Sequence, residues 1–170
     1  MPAAAFVRKC QSDRGERGIM PSRIFVVAED RDVIAPIRHH LVGAGFEVFH
    51  VLDGAEGLAT TMRELPDLLI TDADMPECDG FAQLSILRLT ASTRMLPVVL
   101  LTALDDHDFL TRAIRLGANG HLPKPIRRDA LLNTVAVMLN NKRLELSTVK
   151  AEGFPARKVL GNDSAMATRL

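Results

Sequence analysis

The 170-residue chain has no tryptophan, no tyrosine and only seven phenylalanines. Single-strand nucleic-acid binding without sequence preference relies on aromatic side chains interleaved with basic ones, and no stretch here has that make-up. Two cysteines, Cys10 and Cys78, supply neither a disulfide framework nor a metal knuckle. No apolar run approaches the ~18 residues that a membrane-crossing helix needs. The opening MPAAAFVRKC is a poor signal peptide, because its apolar patch is short and runs into Arg8 and Lys9. The expectation is a cytoplasmic chain long enough for one well-filled domain and too short for two large ones. Net charge is also lacking, but the balance hides a pattern. Residues 1–23 carry five Lys/Arg against two Asp/Glu, residues 142–170 six against three, and residues 24–141 ten against sixteen. An acidic middle with mildly basic ends argues against a DNA-binding domain, which concentrates basic residues on one face.

The chain does contain five short apolar runs, IFVVA (24–28), FEVFHV (46–51), LLIT (68–71), PVVLLT (97–102) and the weaker GHLP (120–123). Each is followed by helical spacing: Ile34, Ile37, Leu41 and Val42; then Leu58, Met62 and Leu65; Phe81, Leu84 and Leu87; Phe109, Ile114 and Leu116; and Leu131, Val135, Val137 and Leu139. Solidly apolar runs mark strands covered on both faces. Strand and helix alternating every 20–25 residues predict right-handed crossovers and a doubly wound five-stranded parallel sheet with helices on both faces, an α/β fold. Gly45 and Gly117 stand where helix C-caps are expected. Residues 1–22 lack periodicity and read as a flexible extension; 23–141 form the domain. Residues 142–170 read as a prolonged last helix, ended by Gly153 and Pro155, and then a flexible tail or the start of an output segment.

Ligands of open parallel sheets bind beyond the carboxyl ends of the strands. The groups leaving those ends are Glu29 and Asp30, then Asp72 and Asp74, then Thr102, then Lys124-Pro125. Carboxylates with waters suit Mg²⁺, a hard cation held by oxygen, while a lysine and a hydroxyl suit a phosphoryl group. Asp72, in the middle of the set, is the candidate nucleophile, forming an aspartyl phosphate.

With these residues in view, the pattern resembles the receiver domain of two-component response regulators over roughly residues 23–141. The matching pieces are RIFVVAED, PDLLITDADMPECDGF, LPVVLLTA and GANGHLPKPI. The resemblance implies a flavodoxin-like fold in which Asp72 accepts a phosphoryl group from a sensor histidine kinase or histidine phosphotransferase. Glu29, Asp72 and the backbone carbonyl of Asp74 would bind Mg²⁺, and Thr102 and Lys124 would contact the phosphoryl oxygens. It also implies a cis Lys-Pro bond, a switch through Thr102 and residue 121, and a partner or homodimer surface on the fourth helix, fifth strand and fifth helix. Neither nucleic acid nor membrane would be a partner of this domain. Such a protein is a phosphoryl acceptor rather than a turnover enzyme. The chain departs from the family in two places. Ala28 stands where the first of two adjacent acids is usual, with Asp30, one place late, as a further candidate ligand. His121 replaces the usual Tyr or Phe, and an imidazole titrates near neutral pH.

Blander readings accompany several of these residues. Asp72 and Lys124 would also suit a structural ion pair, Thr102 a β-branched strand residue, and Glu29 a solvated acid near a helix start. Asp79 and Gly80 read as a loop-and-cap device. His39 and His40, adjacent on a helix, fall on different faces, His107 reads as a solvated helix residue, and no mechanism uses Cys78. Two other functions compete: a degenerate receiver that binds partners without phosphate, favoured by Ala28, and a phosphatase of the haloacid dehalogenase type. The second fits poorly, since its nucleophile strand normally comes first and no late acid pair follows Asp72.

Overall fold

The computed structural model describes residues 21–103 and 107–151. Five strands, β1 (Arg23–Val27), β2 (Glu47–Val51), β3 (Leu68–Asp72), β4 (Val98–Thr102) and β5 (Gly120–Pro123), alternate with five helices. The helices are α1 (Arg31–Gly43), α2 (Gly54–Glu64), α3 (Gly80–Leu89), α4 (His107–Arg115) and α5 (Arg128–Ala151). All neighbouring strands pair in parallel, in the order β2-β1-β3-β4-β5. The strands are those expected from the apolar runs, displaced by no more than a residue or two at their ends.

The sheet divides the apolar residues into two layers, because successive strand side chains point to opposite faces. Ile24, Val26, Leu68, Ile70, Val99 and Leu101 pack with Ile34, Ile37 and Leu41 of α1 and Leu131, Val135 and Leu139 of α5. Phe25, Val27, Leu69, Val98 and Leu100 pack with Phe81, Leu84 and Leu87 of α3 and Ala113 of α4. The three central strands are buried almost throughout. The edge strands β2 and β5 are only partly covered, in keeping with the polar Glu47 and His50 within FEVFHV.

Several side chains expected on packed helix faces lie outside. Val42, Met62, Leu65, Ile114 and Val137 are all exposed, Ile114 to 74%. Val42 and Val137 adjoin rather than share the rows made by Ile37–Leu41 and Leu131–Val135. Leu65 lies past the end of α2, as its left-handed C-cap (φ 47°). The buried face of α2 is instead Gly54, Gly57 and Thr61. His39 and His40, exposed and partly buried respectively on α1, bring their rings together edge to face at 5.3 Å although their helical positions differ.

Aspartates begin three helices. Asp30 accepts from the Asp32 N–H (2.8 Å), Asp53 from Glu56 (2.7 Å) and Asp79 from Ala82 (2.8 Å), each satisfying a donor that the first turn leaves unpaired. Gly45 and Gly117 have positive φ just beyond α1 and α4, as expected of helix-ending glycines. The fifth helix reaches Ala151 and is 24 residues long. Residues 1–20, Asp105 and Asp106 near His107, and the tail from residue 152, including Gly153 and Pro155, lie outside the described residues.

Candidate functional site at the carboxyl edge of the sheet

The strand register decides which residues converge. Val27 is level with Thr71, Asp72 with Leu101, and Thr102 with Pro123. The residues that end β1, β3, β4 and β5 therefore share one edge. It lies where β1 leads to β2 on one side and β3 carries the sheet the other way, the switch point at which open α/β sheets bind ligands.

Asp72 closes the central strand and is only 3% exposed. A carboxylate this deep requires compensation, and it has two partners. The Lys124 ammonium pairs with Oδ2, and the Asp74 backbone N–H donates to Oδ1 at 3.1 Å. Lys124 follows β5 directly, its own N–H donating to the Thr102 carbonyl at 2.8 Å, and the Lys124-Pro125 bond is cis. Thr102 is fully buried at the end of β4. Asp72, Lys124 and Thr102 are thus drawn together by strand pairing and one ion pair.

The outer acids are placed differently. Glu29 and Asp74 are exposed on loops flanking the edge, and the Asp30 carboxylate is engaged as the cap of α1. Ala28 is fully buried, its N–H donating to the Val51 carbonyl at 3.3 Å. Among the described residues no three His, Cys, Asp or Glu side chains are grouped to hold an ion. The donors available, carboxylates and a backbone carbonyl, are all oxygen. That chemistry fits Mg²⁺, which keeps several waters and takes one or two carboxylates. The set is poor in carboxylates, with a methyl group where a further acid would stand. His121 is exposed on β5, level with Leu100.

The loop from β3 to α3 is tied down at both ends. Ala73 and Met75 are buried in the core. A Cβ on Gly80 would lie 2.6 Å from the Asp72 carbonyl oxygen, so only glycine allows α3 to start that close to β3. Cys78 is half-buried in this loop; burial, with Asp79 and Asp53 nearby, pushes its thiol pKa up. One polar residue of this region escaped the sequence reading. Gln83 on α3 is fully buried and bonded to Thr71 and Cys78. Its signal was available: position 83 lies one turn before Leu87, on the row assigned to the core.

Comparison with known proteins meets this geometry. The response regulator receiver domain profile matches residues 24–136. The chain belongs to the response regulator receiver family. Among curated relatives, the transcriptional regulatory protein PrrA of Mycobacterium tuberculosis is 32% identical over 127 residues, covering 75% of this chain and 54% of PrrA. The response regulator PleD of Caulobacter vibrioides is 32% identical over 151 residues, 89% of this chain and 33% of PleD. This receiver thus spans about half the length of PrrA and less of PleD. Among solved structures, the chemotaxis response regulator CheY4 of Vibrio cholerae superposes with a TM-score of 0.67 at 28% identity, covering 71% of this chain and 100% of CheY4. The family and the flavodoxin-like fold implied by the sequence motifs are therefore those of the chain. No helix among the described residues is long and apolar enough to cross a membrane.

Proposed function

We propose that this receiver accepts a phosphoryl group on Asp72 from a histidine kinase or histidine phosphotransferase and thereby switches a partner-binding surface. The observation that carries the reading is the buried Asp72 carboxylate paired with Lys124 at the sheet's carboxyl edge, level with Leu101, the residue before Thr102. An Asp72 oxygen attacks phosphorus, the bond from phosphorus to the donor atom breaks, and the departing group keeps the electron pair. Lys124 and Thr102 contact the phosphoryl oxygens, the first as a cation and the second as a neutral donor. Glu29, Asp72 and the carbonyl of Asp74 would hold Mg²⁺, which neutralises the charge of the incoming group. Asp30, committed as a cap, is the weaker candidate ligand.

The switch runs from Thr102 through His121 to α4, β5 and α5. Ile114 on α4 and Val137 on α5 leave apolar surface there for a target or a second copy. The protein acts as an acceptor and not as a turnover enzyme, in the cytoplasm. A second reading is favoured by Ala28: a receiver that binds its partner without phosphate.

Intact mass after incubation with Mg²⁺ and acetyl phosphate separates the two. The acceptor reading expects a gain of one phosphoryl group, absent in Asp72→Asn and faster in Ala28→Asp. A wild-type chain that stays unmodified while Ala28→Asp is labelled would establish the phosphate-independent module.

A further inference from the structure

Gln83 has none of its surface exposed, yet it carries a primary amide into the apolar layer between α3 and the sheet. Its Oε1 accepts from the Thr71 hydroxyl at 3.3 Å, and its Nε2 donates to the Cys78 carbonyl at 3.1 Å. The Cys78 carbonyl can only accept, so the amide orientation is dictated by its partner. Thr71 immediately precedes Asp72, and Cys78 lies just before the aspartate that caps α3. One side chain therefore bridges the two ends of the loop that follows the acceptor residue.

That loop needs a tie. Glu77 adopts φ 63°, a left-handed conformation unfavourable to a side-chain-bearing residue, and the Cys78 N–H turns back onto the Pro76 carbonyl at 2.7 Å. From the other side, α2 presses on the same carbonyl: a Cβ on Gly54 would lie 2.0 Å from Cys78 O and 3.3 Å from Gln83 Nε2. Cys78 O is thus held between the start of α2 and the carboxamide. The segment so anchored includes Asp74, whose N–H donates to Asp72 Oδ1.

We propose that Gln83 is a positioning residue for phosphoryl acceptance, setting the path of residues 73–79 and hence the Asp74 backbone relative to the Asp72 carboxylate. The proposal rests on the reading of Asp72 as acceptor. A leucine at 83 would fill similar volume and keep the core apolar, but would release the loop. Small misplacements of reacting groups are costly to rate, so Gln83→Leu should slow labelling by acetyl phosphate roughly tenfold per folded molecule. Thr71→Val, which removes one of the two bonds, should slow it less, and the double variant should be no slower than Gln83→Leu because the residues act as a unit.

The test uses the full chain, with labelling rates by intact mass and the folded fraction by circular dichroism. A second readout is the Mg²⁺-induced rise in Tm, which should be smaller in Gln83→Leu than in wild type at the same Mg²⁺ concentration. Variants that melt earlier but label at the wild-type rate per folded molecule, with an unchanged Mg²⁺ response, would overturn the proposal and leave Asp72 as acceptor. A wild-type chain that takes no phosphoryl group overturns both together. Should Gln83→Leu not fold, Thr71→Val decides alone: a slowed rate supports the role and an unchanged one overturns it.

Discussion

Arg88 shows how much a single side chain can organise far from Asp72. From α3 its guanidinium donates to the carbonyls of Leu96 (2.9 Å), Arg94 (3.2 Å) and Gly117 (2.8 Å), and to Asn119 Oδ1 (2.8 Å). Asn119 Oδ1 in turn accepts from the Val98 N–H at 2.9 Å, so the entries to β4 and β5 are joined through one planar fork. Burial pulls the guanidinium pKa below its usual value, and it stays charged at any working pH. Arg88→Met should cost about 2–3 kcal/mol, since it removes charge-assisted bonds and strands their acceptors. Arg88→Lys should recover only part, because an ammonium cannot fork to acceptors spread over two loops. Urea midpoints of the three proteins check both statements, and a Lys variant as stable as wild type would contradict the second. Nothing in the sequence marks Arg88, because its acceptors, mostly backbone carbonyls with the Asn119 side chain, are brought near only by the fold.

At the scale of the element, α2 teaches the clearest lesson. Leu58, Met62 and, just past its end, Leu65 have helical spacing, and Leu58 does pack on the core, but the fully buried face against the sheet is Gly54, Gly57 and Thr61. The helix lies so close that bulk is excluded: a Cβ on Gly57 would fall 2.6 Å from Val27 Cγ1. Gly57→Ala should therefore destabilise the protein by about 1–3 kcal/mol through overpacking, although alanine is the better helix former by ~1 kcal/mol. Thermal melting decides the sign, and a raised Tm would mean that α2 can move outward at little cost. By contrast α3, with Phe81, Leu84 and Leu87 all buried, was readable from spacing because it packs at a distance set by large side chains. The short α4 buries only Ala113 fully and is held at its start by Phe109, edge to face with Phe81 at 5.2 Å, and by Arg112 lying 4.1 Å above the Phe81 ring. A lightly anchored helix that follows Thr102 in the chain suits the switching role proposed for it.

For the molecule as a whole, the edge of the sheet carries a pH response. His50 on β2 is largely exposed, and partial desolvation lowers its pKa, with Arg38 and Arg31 of α1 adding repulsion to the charged ring, so its effect on stability is small. The fold favours the neutral ring, so the unfolded chain takes up a proton more readily. The stability this provides is complete above the unfolded value of 6.5 and is lost as pH falls below it, through the folded pKa. His50→Gln should narrow the difference between urea midpoints at mildly alkaline and mildly acidic pH. An unchanged difference would assign the acid sensitivity to other groups. Because β2 is remote from Asp72 in the strand order, this titration should leave labelling by acetyl phosphate at neutral pH unaltered.

What the sequence determined by itself was the set of strands and which residues stand at their ends. A strand covered on both faces must be continuously apolar, so β1, β3 and β4 announce themselves, and the residue that follows each necessarily emerges at one edge of a parallel sheet. Asp72 and Thr102 were legible for that reason, and Lys124 from the weaker run that precedes it. The tertiary structure alone decided which polar groups meet and which helix faces are packed. That Gln83 spans the loop after Asp72, that Arg88 joins two strand entries and that α2 approaches on glycines all depend on contacts between segments that local periodicity does not report. Local periodicity reports the preference of a segment for burial, whereas the distance and angle at which two segments pack are set by everything else in the core.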